Sequence, residues 1–207
     1  MNAGQEPYQK KHHQNPEQQT TIVLVNLGTP AKPTYFSTMA FLREFLSDTR
    51  VIKITKWLWY PLLYGIILPF RSQGSKKKYA LIHTPAGMPL MQISSALHKA
   101  VKTHIEKKHT QTNVLLAMRY GQHQIQNVLA SIKKIPHKKL IILPLFPQYS
   151  ATTTASIFDA VSESLKKWDF LPNYQFIRDY CNRDDYIGAL VKSIKMHWST
   201  HGKGELL

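Results

Sequence analysis

Cysteine is nearly absent: Cys181 stands alone among 207 residues. One thiol cannot build an internal disulfide framework, so stability must come from an apolar core, and a reducing compartment such as the cytoplasm is the expected location. Carboxylates are scarce too. Only 12 Asp and Glu face 27 Lys and Arg, a formal charge of +15. A surface that basic attracts nucleic acid, anionic lipid or acidic small molecules. Long apolar runs are missing as well. The longest, WLWYPLLYGIILPF at 57–70, is interrupted by Pro61 and Gly65 and falls short of the roughly twenty residues that span a bilayer. A helical hairpin, buried or resting against a membrane, is the expectation there.

The opening MNAGQEPYQKKHHQNPEQQT has no apolar h-region, so residues 1–20 read as a disordered polar tail without a secretory signal. Neither GxGxxG nor GxxxxGK[ST] occurs, which leaves NLGTP, with its one Gly28, as a tight turn and not a phosphate cradle. HExxH and CxxC are also missing, and no metal site is expected. His197 and His201 have a spacing that can chelate on a helical face, but Ser199, Thr200 and Gly202 suggest that the helix is already ending there. The basic clusters KKKY, KKIPHKK and LKKW fall at separate helix ends and turns, where lysines complement the helix dipole. No RRM, KH or helix-turn-helix signature accompanies them. A nucleic-acid-binding module stays a third reading, and no nucleic-acid partner is expected.

What is present is a regular alternation. With 43% hydrophobic and 19% charged residues the chain has the composition of a globular domain. TTIVLVNLG, from Thr21 to Leu27, reads as a strand covered on both faces, broken by Gly28, Thr29 and Pro30. YFSTMAFLREFLSD carries an apolar stripe at helical spacing. A second helical region covers Trp57 to Phe70 and ends at a solvated turn around Gly74. ISSALHKAVKTHIEKKH is helix, NVLLAMRYG strand, QIQNVLASIKKI helix, KKLIILPLF strand, ASIFDAVSESLKKW helix, NYQFIRDY strand and DDYIGALVKSIKMHW helix; the final GELL opens a further strand. Strands alternating with helices at this spacing predict a doubly wound α/β fold with a parallel sheet.

Ligands of such sheets bind beyond the carboxyl ends of the strands. Leu27-Gly28-Thr29-Pro30, Arg119-Tyr120-Gly121, Pro147-Gln148-Tyr149-Ser150 and Asp179-Tyr180 stand there. That group is aromatic and hydroxylic with one fixed cation, which suits a flat or acidic ligand. Arg119, unable to shed its charge, must pair with an acid or face a ligand. Tyr149 and Ser150 could be turn residues, with one of Thr152, Thr153 and Thr154 capping the next helix.

At these residues the chain resembles the ferrochelatase family, which inserts ferrous iron into protoporphyrin IX at the end of haem synthesis. VNLGTP, FLREFLSDTRVI, AMRYG, LPLFPQYSATTTAS and YIGALVKSIKMHW carry the resemblance, in family order and spacing. It implies a Rossmann-like lobe over residues 21–207, the first of a two-lobe fold that clamps the porphyrin. Leu27 would lie against the macrocycle. Arg71 would approach a propionate with Tyr79 beside it, Arg119 and Tyr120 would line the cleft, and Tyr149 and Ser150 would shape its floor. Segment 57–70 would be an apolar lip that meets a hydrophobic substrate or a membrane surface. Protoporphyrin IX and ferrous iron would be the substrates, with no tightly bound cofactor. The sequence departs from the family at Gly87-Met88-Pro89, where the family has Gly-Ser-Pro and a hydroxyl for a propionate. The resemblance also implies that the catalytic histidine and second lobe lie beyond Leu207, so these residues alone would be inactive as a chelatase. A noncatalytic porphyrin- or haem-binding protein is the alternative.

Overall fold

The apolar run after Thr20 needs cover on both faces, and the fold supplies it. A computed structural model, which describes residues 19–135 and 137–204, places this run at the centre of a four-stranded sheet. β1 (Gln19–Thr29) lies between β2 (Thr112–Gly121) and β3 (His137–Pro144), and β4 (Asn173–Phe176) completes the order β2-β1-β3-β4. Every pairing is parallel. The strands are joined by α1 (Tyr35–Leu46), α2 (Lys56–Leu62), a π-helical segment (Leu63–Ile67), α3 (Leu68–Ile82), α4 (Pro89–Lys108), α5 (Ile125–Ile132), α6 (Ser156–Leu165) and α7 (Asp184–His201). The predicted α/β class with a Rossmann-like parallel sheet and flanking helices is what the structure shows.

Alternation along β1 separates the two faces. Val23 and Val25 point to one side, where Ile125, Leu129 and Ile132 of α5 and Ile157, Val161 and Leu165 of α6 close the main core with Leu140 and Ile142 of β3. Asn26 points to the other, and its amide donates to the Ser94 hydroxyl of α4 at 3.0 Å. Burying one such aliphatic side chain contributes ~1.5–3 kcal/mol. A second cluster lies beside the sheet: Phe41, Leu42 and Leu46 of α1 pack with Trp59, Leu63 and Leu68 and with Tyr120 of β2. The Trp59 indole fixes this cluster by donating to the Leu46 carbonyl at 2.7 Å.

Several predicted boundaries are corrected. Gln19 and Thr20, placed in the polar tail, already belong to β1, which continues through Gly28 to Thr29. Residues 1–18 of that tail, and Glu205, Leu206 and Leu207 of the expected last strand, lie outside the described residues. No hairpin forms at 57–70. Helix runs without interruption from Lys56 to Ile82, through Gly74, where a turn was expected. The strand expected over NYQFIRDY is only Asn173–Phe176. α7 extends past Trp198 to His201 and ends at Gly202, whose φ of 80° stops it.

Candidate functional site

Four parallel strands send all their carboxyl ends to one edge. The chain crosses from β2 to β3 over β1, so the order reverses there, which is where such sheets open a crevice. Beyond the end of β1 lies a hollow of about 370 Å³. Leu27, Gly28 and Thr29 form its floor, Phe41, Leu42 and Phe45 of α1 one wall, and Arg71, Ser75, Tyr79 and Ile82 of α3 the other, with Met88 at its end. The lining is apolar and aromatic with one guanidinium at the rim. It contains neither an imidazole nor a carboxylate.

The wall on α3 depends on how the preceding helix passes its prolines. Pro69 has no N–H to donate, and its ring crowds the carbonyl four residues back. The helix widens instead of breaking: the Leu68 N–H reaches the Leu63 carbonyl, five residues earlier. α3 can then continue in line and present Arg71 and Tyr79 to the cleft. Burial raises the Tyr79 pKa, and the nearby Arg71 charge only partly opposes this, so Tyr79 is a neutral hydroxyl donor at physiological pH.

Gly28 is not the tight turn its sequence context suggested. It sits in the strand opposite Tyr120 with φ of 102°, and a Cβ there would lie 2.0 Å from the Tyr120 carbonyl oxygen. Backbone contact, not a turn, requires the glycine.

Of the seven residues expected at the site, Leu27, Arg71 and Tyr79 come together on this hollow. Arg119 and Tyr120, expected to line the cleft, do not line this hollow. Tyr120 is 1% exposed; its ring packs edge-on against Phe41 and Phe45 and so backs the cleft wall. Arg119 takes the first of its two options and pairs with an acid: its Nη2 donates to Asp48 Oδ2 at 2.6 Å and its Nε to Ser156 Oγ at 2.7 Å. The Tyr120 hydroxyl and Ser156 hydroxyl donate to the same Asp48 oxygen. Burial by itself would raise the Asp48 pKa, but the hydrogen bonds from Ser156, Tyr120 and the Arg50 N–H, with the Arg119 charge, hold it below the ordinary carboxylate value. Burial, above all, pushes the Tyr120 phenol far up.

Tyr149 and Ser150 lie on the next strand end, past β3, and do not line the hollow. Tyr149 is 53% exposed and lies near Arg50. Arg50 in turn holds Asp159 through Nε and Nη2 at 2.6 and 3.0 Å. Ser150, not one of the three threonines, is the N-cap of the helix that follows, accepting from the Thr152 N–H. The segments around 27, 119 and 149 share one edge of the sheet, and of them only the first lines this hollow.

Sequence reasoning missed Asp48, Glu44 and Ser156. Glu44 accepts from the Gly121 N–H at 2.8 Å and finishes the end of β2. The signal was in LREFLSD: two of the few acids in the chain lie on or just after α1, the element that adjoins the Arg119 strand end. Among the described residues, no group of three or more His, Cys, Asp or Glu could hold a metal. His197 and His201 stack on α7 with ring centroids 4.3 Å apart.

A profile of known sequences described as Ferrochelatase matches residues 19–207, nearly the whole chain. The chain belongs to the ferrochelatase family. Among curated relatives, Ferrochelatase of Aeromonas hydrophila is 44% identical over 188 residues, 91% of this chain and 58% of its own. That of Aromatoleum aromaticum is 40% identical over 197 residues, 94% of this chain and 53% of its own. Ferrochelatase of Vibrio cholerae is 41% identical over 186 residues, 90% of this chain and 57% of its own. The chain thus spans somewhat more than half the length of the ferrochelatases it matches.

Proposed function

We propose that this chain supplies a porphyrin-holding wall for ferrochelatase chemistry, in which ferrous iron enters protoporphyrin IX and the two pyrrole N–H protons leave to give haem. The observation that carries this reading is the hollow itself: apolar and aromatic on floor and walls, with Arg71 and the Tyr79 hydroxyl at the rim. A flat tetrapyrrole needs such surface for its ring, and its propionates need charge-assisted donors. Leu27 meets the macrocycle, Arg71 forks onto one carboxylate, and Tyr79 donates from beside it. Tyr149 and Ser150, on the neighbouring strand end, bound the far side of the ligand. Arg119 and Tyr120 act from behind by fixing α1, through Asp48 and through Phe41 and Phe45.

Deprotonation needs a general base within hydrogen-bond reach of the pyrrole nitrogens. No cleft-lining residue offers one, so the base is assigned to groups outside this cleft. The same observation favours a second reading for the 207-residue chain acting alone: it binds porphyrin without metallating it. An anaerobic assay with ferrous or zinc ion and protoporphyrin IX tests both. Saturable binding without insertion is expected; turnover by this chain alone would require a base that the cleft geometry lacks.

Contact with a membrane is part of the proposal. Trp57, Leu58, Ile66 and Phe70 are exposed on the helix leading to the cleft and form its apolar lip. Among the described residues no helix is long and apolar enough to cross a membrane, so the contact is peripheral.

A further inference from the structure

We infer that His197 and His201 form a two-imidazole chelate on α7 for a divalent transition cation of the class that favours imidazole, such as Ni²⁺, Cu²⁺ or Zn²⁺. The inference does not rest on the porphyrin reading, because no residue of α7 lines the cleft. The sequence alone argued against the pair, since Ser199, Thr200 and Gly202 suggested a helix that stops before His201. The structure removes that objection. α7 runs from Asp184 to His201 and ends only at Gly202, so the two histidines stand one turn apart on one helical face. This spacing occurs once in the chain: none of the other eight histidines has a second one three or four residues away.

The geometry makes the spacing a donor pair. Both residues are exposed, and their rings lie 20° from parallel with centroids 4.3 Å apart. Metal–nitrogen bonds of ~2.0–2.1 Å put the nitrogens of a tetrahedral pair ~3.3 Å apart, which a small turn of either side chain reaches from this stack. Nδ1 of His201 lies 3.2 Å from the His197 carbonyl oxygen. A carbonyl only accepts, so Nδ1 carries the proton, and in the neutral ring Nε2 keeps the lone pair that a metal needs. Ligating histidines are ordered in the same way, with the far ring nitrogen bonded to a backbone carbonyl. The surroundings suit a cation. The pair ends the helix, where the dipole is negative. Ser193, Ile194 and Thr200, the helical neighbours of His197 on this face, carry no charge. Lys203, just past the helix, holds its ammonium over the Trp198 ring, 5.6 Å from the centroid. Two protein ligands leave the remaining positions to water, so the ion stays exchangeable.

The test is calorimetric titration of the 207-residue chain with Ni²⁺, together with broadening of its backbone amide resonances by the same ion. One saturable equivalent is expected, with the strongest broadening in the last turn of α7. His197→Gln and His201→Gln should each weaken binding ~10²-fold, since either removes the intramolecular second bond. His12→Gln/His13→Gln, which removes the adjacent pair near the start of the chain, should leave it unchanged. His201→Gln/Ser199→His keeps the number of histidines but puts the second ring two residues from the first, on another face, and should not restore binding. No residue of α7 is buried, so these substitutions leave the core intact. Full binding by His197→Gln, restoration by Ser199→His, or loss of the equivalent in the His12 and His13 variant would each overturn the assignment.

Discussion

Asp48 gathers Arg119, Tyr120 and Ser156 onto one carboxylate oxygen, and its side chain is only 6% exposed. Removing one partner of such a buried pair leaves the other charge uncompensated, at a cost of ~3–5 kcal/mol. Asp48→Asn should therefore lower the midpoint of chemical denaturation sharply. The pH dependence has a definite sign. Asp48 has a folded pKa below its unfolded value, near 3.9 for an ordinary Asp, so its contribution is complete above that value and is lost as pH falls below about 4. The acid limb of the wild-type stability curve should flatten in Asp48→Asn; an unchanged limb would remove Asp48 from this role. Gly28→Ala should be worse than its size suggests, losing roughly 3 kcal/mol or more through backbone strain and the clash with Tyr120, as measured by urea unfolding. The sequence showed that Arg119 needed a partner, but not which of its two options it takes. Asp48 is 71 residues away, and only the packing of α1 beside β2 brings them together.

β1, β2 and β3 were legible because a parallel sheet demands short unbroken apolar runs bounded by turn signals. The helix from Lys56 to Ile82 was not legible. Pro61, Gly65, Pro69 and Gly74 each resemble a breaker locally, and the Leu63–Ile67 π segment absorbs what Pro69 would disrupt. Continuity carries the exposed apolar face of residues 57–70 directly into the Arg71 wall of the hollow. Trp57 and Phe70 are 73% and 77% exposed, so replacing both with glutamate should leave thermal stability nearly unchanged. The same double variant should lose most binding to anionic liposomes in a flotation assay, since apolar burial and basic charge together hold such helices at an interface. Equal flotation of variant and wild type would exclude this face from membrane contact. α7 is the contrasting element: it is legible as helix in the sequence, yet no residue on it is buried.

Taken whole, the molecule presents two neighbouring arrangements at one sheet edge. The apolar hollow past β1 offers surface for a ring, and the Asp48 network past β2 and β3 keeps α1 in place behind it. Three of the residues named from the resemblance, Leu27, Arg71 and Tyr79, line one hollow at this edge. The resemblance could not separate residues that line this hollow from residues packed behind it, because Arg119 and Tyr120 stand in the same kind of strand-end motif as Leu27. The most direct test of the cleft is hydrogen exchange, read by mass spectrometry, with and without protoporphyrin IX. Slower exchange in the porphyrin complex is expected over the end of β1 at 27–29 and over α3 from 71 to 82, with α7 unchanged. Protection confined to α7, or to the strand ends other than β1, would contradict the account.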